Sequence, residues 1–328
     1  MEVRFASDGS HKADKAKSTE KIDGAVATIM ALDRTEASNA IEGIVTTSTR
    51  IKQLVEEKTI PKNRDEQEIA GYRDVLNIIH ESFDAIPISQ NYILQLHKIL
   101  YSHMNNPIAG RTKSVQNYIS ATYPDGHVET LFTPLAPYET PEALDKICEE
   151  YNRVIGNMEL EPLIAIPVFI HDFLCIHPFN EGNGRMSRLL TTLLLYRNGF
   201  YVGKYISLEA KIAKNKDLYY NALGQAQIGW HEGAEDTVPF IKYLLGTVLA
   251  AYKDFEDRFA LVETKLPALE TVRRASLNKI GRFTKQDIRE LCPSHSISSI
   301  EGALRKLVSS GELKRKGSGK NICCYRLK

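Results

Sequence analysis

The stretch His177-Pro-Phe-Asn-Glu-Gly-Asn-Gly-Arg-Met-Ser-Arg188 gathers a histidine, a carboxylate, two glycines and two arginines into one short segment. Its flanks say what it connects. Upstream, residues Leu163 to Ile176 are almost wholly apolar and too long for a typical strand, which predicts a buried helix. Downstream, Met186, Leu189, Leu190, Leu193 and Leu194 recur at helical spacing until Asn198-Gly199 supplies a stop. The motif is therefore expected as a loop between two core helices. Pro178 closes the first, and Gly182 and Gly184 permit backbone angles that turn successive N–H groups into an anion nest at the start of the second. Arg185 and Arg188, three apart, project from one side of that helix's first turn and can clamp further phosphates with forked donors. Glu181 suits a hard cation, Mg²⁺ above all, bridging the phosphates. His177 titrates near neutrality and can take a proton from an attacking hydroxyl.

Simpler readings account for less. A Gly-x-Gly with no preceding strand and no third glycine does not make a dinucleotide loop. His171, Cys175 and His177 lack the CxxC or HExxH spacing of a zinc site, and His171 reads as a core histidine. A purely structural loop has no need of two arginines, a carboxylate and an asparagine together.

These residues match the signature His-Pro-Phe-x-(Asp/Glu)-Gly-Asn-Gly-Arg-x-x-Arg at every defined position, so the chain resembles the Fic-domain family. The resemblance implies a protein adenylyltransferase, an enzyme that moves AMP from ATP onto a hydroxyl side chain of a protein. It makes His177 the general base, Glu181 the Mg²⁺ ligand, Gly182, Asn183 and Gly184 the phosphate nest, and Arg185 and Arg188 the partners of the distal phosphates. Relatives running other phosphoryl transfers often alter this loop, for instance with lysine at the position of Gly184; glycine there favours adenylylation. Upstream, Ser38-Asn-Ala-Ile-Glu42-Gly43 resembles the family's inhibitory motif, (Ser/Thr)-x-x-x-Glu-(Gly/Asn), placed on the N-terminal side of the core. Ser38 and Glu42 are four apart and would share a helix face, Ser38 as its N-cap. On this resemblance Glu42 pairs with Arg188 and holds ATP where its α-phosphate cannot be attacked in line. The runs Ser114 to Ser120 and Val128 to Phe132 flank the turn signal Pro124-Asp125-Gly126; they resemble the family's flap, which holds the target segment by strand addition. Asp217 to Leu223 resembles the adenine-pocket segment, with Tyr220 against the base and Gln227 alongside.

Composition bounds the rest. The chain has 328 residues and a net charge of +1, enough for two or three folding units. It contains no apolar run long enough to span a membrane, its first residues do not read as a signal peptide, and its five cysteines lack disulfide or zinc spacing. A cytoplasmic enzyme is the expectation. Residues 261–328 hold 15 Lys and Arg against 6 Asp and Glu, leaving the remainder net acidic, which predicts a domain boundary near residue 260. Within that basic part, Thr284 to Leu291 reads as a capped short helix and Ile297 to Ser310 as an amphipathic one with Ile300, Leu304, Leu307 and Val308 on one stripe. A basic hairpin follows from Glu312. Helix, turn, helix and hairpin look like a winged helix, with Lys314, Arg315, Lys316 and Lys320 placed to meet DNA, or else a fold used for protein contact, since Glu301 interrupts the second helix.

The expected architecture is mainly α: residues 1–20 a flexible arm, 21–260 a Fic helical bundle with a β-hairpin flap and an inhibitory helix near 35–45, and 261–328 a winged helix. Residues 68–83, 88–103 and 144–155 are expected as further helices. Expected partners are ATP, a target protein or the chain itself, DNA, and a second copy of the chain, with no membrane. A nucleotide-sensing regulator and an AMP-removing enzyme remain as rivals built on the same residues; an intact His177 speaks against the first, because a sensor needs no base.

Overall fold

The computed structural model describes the chain except residues 1–2, 6–10, 14–31, 124, 264–266, 278–281, 293–294, 317–322 and 327–328. It divides into two compact units, Met1–Tyr252 and Lys253–Lys328. The division falls inside helix α10 (Val238–Glu263).

In the first unit, β1 (Val3–Phe5) and β2 (His11–Ala13) pair antiparallel and are what is described of the expected N-terminal arm. Helix α1 (32–41) follows, then α2 (Ser48–Val55), α3 (Arg64–Ser82), α4 (Gln90–Leu100), α5 (Thr140–Gly156), α6 (Pro162–Ile176), α7 (Asn183–Arg197), α8 (Leu208–Lys214) and α9 (Lys216–Ala226). The expected helices over 68–83, 88–103 and 144–155 correspond to α3, α4 and α5. Helix α3 starts earlier than its apolar pattern because Asn63 caps it, accepting from Glu66 N at 2.9 Å, and its first turn is polar.

The core is built around α6 and α7. Pro162 starts α6 at a position where a missing N–H costs nothing. The helix is apolar on nearly all sides and packs on α5 and α7, while Met186, Leu189, Leu190 and Leu193 of α7 are fully buried. Ile69, Tyr72, Leu76 and Ile79 of α3 add to this core, and α3 packs on both α4 and α7. Phe240 of α10 lies against the rings of His171 on α6 and Tyr219 on α9.

The hairpin forms, in shorter compass than expected. β3 (Ile119–Thr122) pairs antiparallel with β4 (Val128–Phe132), Ile119 opposite Phe132 and Thr122 opposite Val128, with an irregularity at Ile119/Ser120. Residues 114–118, expected in the first strand, are not part of it, because Lys113 just before them and Asn117 among them are engaged with the loop after α6, as described below. Pro124 of the expected turn lies outside the described residues.

The second unit runs α11 (Ala268–Leu277), β5 (Arg282–Thr284), α12 (Lys285–Leu291), α13 (Ile297–Ser309), β6 (Leu313–Lys316) and β7 (Cys323–Arg326). Its sheet is antiparallel in the order β5-β7-β6. Thr284 and Asp287 form a reciprocal capping box at the start of α12. Val272, Phe283, Ile288, Ile300, Leu304 and Leu307 make a separate core. Glu301 does not interrupt α13; it pairs across to Lys285 at 2.6 Å. Lys314 and Arg315 are exposed, whereas the side chains of Lys316 and Lys320 lie outside the described residues. Cys148, Cys175 and Cys292 are free and buried. Among the described residues no helix is long and apolar enough to cross a membrane.

Candidate active site

The loop from α6 to α7 begins with strain. His177, the C-cap of α6, sits in the left-handed region at φ 52°, a conformation rare for a residue with a Cβ and costing roughly 1 kcal/mol or more. Its Nδ1 lies 3.2 Å from the carbonyl of Leu174. A carbonyl only accepts, so Nδ1 carries the proton and Nε2 is left as the basic nitrogen. Burial pushes the imidazole down to about 4, the Leu174 contact opposing and the Lys113 ammonium assisting. His177 is therefore neutral at pH 7, the form a proton acceptor needs.

Polar groups from three segments fix the loop. Asn183 accepts from Phe179 N at 2.9 Å and donates to Phe179 O at 2.7 Å. His97 of α4 stacks on Phe179, the ring centroids 3.7 Å apart. Gly110 N donates to His97 Nδ1 at 3.0 Å, so Nε2 must carry the proton that reaches Glu181 O at 3.1 Å. Burial holds His97 down at about 4, which keeps that tautomer neutral.

The two glycines serve different purposes. Gly182 precedes α7 at φ 86°, where a glycine carries no steric penalty. Gly184 is not left-handed, contrary to the expected nest geometry: it lies in the first turn of α7, as does Asn183. Its bare Cα matters for space, because a Cβ there would stand 2.3 Å from Glu42 Oε1. What remains of the nest is the N-terminus of α7 itself, whose first N–H groups have no intrahelical acceptor.

Arg185 and Arg188 are both almost fully buried, but they serve separate networks. Arg185 Nη2 lies 2.7 Å from Glu68 Oε2 and 2.8 Å from the Tyr101 hydroxyl, while its Nε and Nη1 are buried without a partner among the described residues. Two orphaned guanidinium donors mark a place for an anion. Arg188 donates from Nε to Ser38 Oγ at 2.8 Å and from Nη2 to Glu42 Oε1 at 2.7 Å and to Ser38 O at 3.1 Å. Burial works to raise the Glu42 carboxyl, but Arg188, with help from Arg185 and Lys216, outweighs it and holds the group below the ordinary carboxylate range.

Ser38 does not cap a helix. It is buried inside α1, with its hydroxyl committed to Arg188. The end of α1 is instead closed by Gly43 at φ 76°, with Gly43 N to Ala40 O at 3.1 Å and Ile44 N to Asn39 O at 3.0 Å, the two bonds of a Schellman motif. Glu42 is thereby the last residue before the chain turns away. At the other end Arg34, fully buried, makes a two-pronged pair with Glu209 (2.8 and 2.7 Å) and also reaches Tyr196, Gly203 O and Thr192.

Glu181 is half-exposed and paired with Arg64 at 2.8 Å; Arg64 also holds Glu68 at 2.9 Å. No group of three or more His, Cys, Asp or Glu among the described residues could hold a metal by itself. A single carboxylate at a phosphate site is nevertheless the donor set that Mg²⁺ uses when phosphates and water complete its shell, so the residues fit that ion. Tyr220 is exposed, lies over Lys216 and is close enough for Glu42 to raise its hydroxyl, after burial. Gln227 is buried beside the Cys175 thiol on α6. His171 is wholly buried, its Nε2 3.6 Å from Cys175 Sγ, as a core histidine.

Comparison with known proteins gives the same region a family. Residues 87–195 match the model of the Fic/DOC family. That match takes in the whole loop from His177 to Arg188. A relative named protein adenylyltransferase Fic, from Nematostella vectensis, is 27% identical over 217 residues, which cover 63% of this chain and 44% of the relative. The chain thus spans less than half the length of that relative. In fold, the chain is similar to a Fic domain containing signaling protein from Bacteroides thetaiotaomicron, with a TM-score of 0.58 at 22% identity over 73% of this chain and 88% of that one. A Fic family protein from Desulfovibrio desulfuricans is similar over 96% of this chain and 97% of its own, with a TM-score of 0.56 at 18% identity.

Sequence reasoning did not find Glu68, Arg64, Tyr101, His97, Lys113 or Asn117, all of which touch the Fic loop or its arginines. Each comes from α3, from α4 or from the turns before the hairpin, and no local pattern ties them to residue 177.

Proposed function

We propose that the chain is a protein adenylyltransferase, moving AMP from ATP to a Ser, Thr or Tyr hydroxyl of a target protein or of itself. The observation that carries this reading is the neutral, Nδ1-protonated His177 beside a helix N-terminus backed by an arginine with orphaned donors. His177 Nε2 takes the proton of the incoming hydroxyl as that oxygen bonds to the α-phosphorus, and the bond to the bridging oxygen breaks to release pyrophosphate. The N-terminus of α7 and Arg185 hold phosphate oxygens, so that catalysis is mainly positioning and charge stabilisation. Mg²⁺, when bound, neutralises phosphate charge, with Glu181 as its protein ligand. Tyr220 meets the adenine, and Gln227 backs that pocket from inside. The hairpin β3–β4 receives the target segment along its edge.

On the same reading Glu42 is a brake: it occupies the guanidinium of Arg188 that the γ-phosphate requires. The second unit has the element order of a winged helix, with Lys314 and Arg315 exposed on its hairpin, and we place DNA contact there.

The test of the activity is incorporation of labelled AMP by His177→Ala. Transfer should be abolished while ATP affinity is largely retained, since other groups hold the phosphates. Parallel loss of nucleotide binding and transfer would make His177 a structural residue and overturn the assignment.

A further inference from the structure

The main chain that carries His177 is held from outside by one short segment. Lys113 N donates to Pro178 O at 2.8 Å. Lys113 Nζ donates to Ile176 O at 2.9 Å and to Asn117 Oδ1 at 3.0 Å. Asn117 Nδ2 in turn donates to Phe179 O at 2.9 Å and approaches His177 O at 3.4 Å. Every carbonyl from residue 176 to 179 is thus met by Lys113 or Asn117, and Phe179 O also by Asn183. Carbonyls at a helix C-terminus have no intrahelical donors, so these external ones are what completes the turn.

Lys113 is an unusual residue to spend on this. It is 3% exposed, and among the described residues its ammonium has neutral acceptors and no carboxylate partner. Burial pushes that ammonium down to about 8. A buried charge without a counter-ion is costly, and filling a turn's carbonyls does not by itself require one. The left-handed backbone of His177 also needs surroundings that impose it. The same segment lies immediately before β3, the first strand of the hairpin.

We propose that Lys113 is a positioning residue for His177: with Asn117 it imposes the left-handed turn that aims the imidazole, and it ties the base of the hairpin to the general base. The inference rests on the proposed transfer reaction for its rate readout and on nothing beyond the geometry for its spectroscopic one.

The experiment uses the full chain with Lys113→Met, which keeps length and loses the ammonium, and Lys113→Arg, which keeps the charge and the donors. Three quantities are read: AMP transfer with labelled ATP, ATP affinity by calorimetry, and the His177 tautomer from imidazole nitrogen NMR, assigned with His177→Gln. Lys113→Met should lower turnover by about a hundredfold, the loss expected when a catalytic group is misplaced by about 1 Å. ATP affinity should change less than threefold, on the order of half a kcal/mol, and the Nδ1-protonated form should lose its dominance. Lys113→Arg should restore both turnover and tautomer. Unchanged turnover and tautomer in Lys113→Met would overturn the proposal, and so would equal losses of turnover and ATP affinity, which mean a general structural role. If Lys113→Met does not fold, Asn117→Ser decides by the same readouts, with the same two outcomes counting against it. A parent protein that transfers no AMP, with the tautomer still dependent on Lys113, would refute the activity and leave the positioning role standing.

Discussion

Replacing Glu42 by glycine should weaken the fold and strengthen the enzyme at once. The carboxylate lies 2.7 Å from Arg188 Nη2, with the guanidinium 3% exposed and the carboxylate 32% exposed. Removing one partner of a fully buried pair costs about 3–5 kcal/mol. A third of Glu42 is in water, and Arg188 keeps its two bonds to Ser38 at 2.8 and 3.1 Å, so a loss of about 1–2 kcal/mol is expected. The gain lies in the freed donors. One or two charge-assisted hydrogen bonds from Arg188 to a γ-phosphate supply about 3 kcal/mol, which at about 1.4 kcal/mol per factor of ten is about a hundredfold in transfer rate. The assay is incorporation of labelled AMP by wild type, Glu42→Gly and Glu42→Gly/Arg188→Ala at equal Mg²⁺ and ATP, with urea melts of all three. The double variant should show the loss of stability without the gain in rate. A Glu42→Gly protein that is folded but no faster than wild type would refute the brake. A faster double variant would show that Arg188 is not the residue being released.

Gly184→Ala should cost stability in the wild type by displacing the Glu42 carboxylate, which its Cβ would approach to 2.3 Å, and cost little in a Glu42→Gly background; a coupling below about 0.5 kcal/mol in a double-mutant cycle would refute that contact. Burial leaves His80 at about 3 and His97 and His177 at about 4, so unfolding takes up protons below the ordinary histidine value of 6.5. Stability should therefore be complete above about pH 6.5 and fall towards pH 4, by up to about 1.4 kcal/mol per pH unit for each histidine; a urea midpoint unchanged between pH 7 and pH 5 would contradict their neutral burial. Duplex DNA should bind the full chain at low salt and dissociate steeply as salt rises, and changing Lys314, Arg315 and Lys316 to alanine should flatten that slope; absence of binding at low salt would leave the second unit to protein contacts.

The fold was legible where a periodic apolar pattern coincided with an element. Helices α6 and α7 announce themselves through long apolar faces, and the loop between them through its chemistry. Boundaries were lost where polar residues carry structure. The first turn of α3 is Arg-Asp-Glu and is helical because Asn63 caps it, while residues 114–118 have strand-like composition yet are drawn away from the hairpin by Lys113 and Asn117, whose side chains are engaged with the loop after α6. In the second unit α11 was passed over although it is amphipathic, with Val272 and Ala275 in the core and Leu269 packed against it, and β5 escaped because it is three residues long and forms by pairing with β7, some forty residues later in sequence. The site divides along the same line. Local spacing exposes His177, Glu181, Arg185 and Arg188; Glu68, Tyr101 and Lys113 reach them only through tertiary packing, which no window of sequence contains. Ser38 was singled out by the motif it shares with Glu42; only its expected part as a cap fails, because nothing local shows that it lies inside α1 with its hydroxyl on Arg188.

The geometry also constrains how such a brake can release. Arg34 is buried in a cluster with Glu209, Tyr196 and Thr192, and breaking a buried pair of this kind costs about 3–5 kcal/mol, so undocking the whole of α1 is an expensive route. The other end is cheaper. Glu42 and Gly43 lie beyond the last helical residue, held by three turn hydrogen bonds and by Lys216 Nζ on Ile41 O at 2.6 Å. A rotation confined to residues 42–43 would lift the carboxylate from Arg188 while Ser38 keeps its own bonds to that arginine. Because Glu42 and a γ-phosphate would compete for one guanidinium, the coupling is reciprocal: any factor by which lifting Glu42 tightens productive ATP binding is the factor by which productive ATP favours the lifted state. Relief is then a property of two residues and one arginine, and α1 can stay docked throughout the reaction.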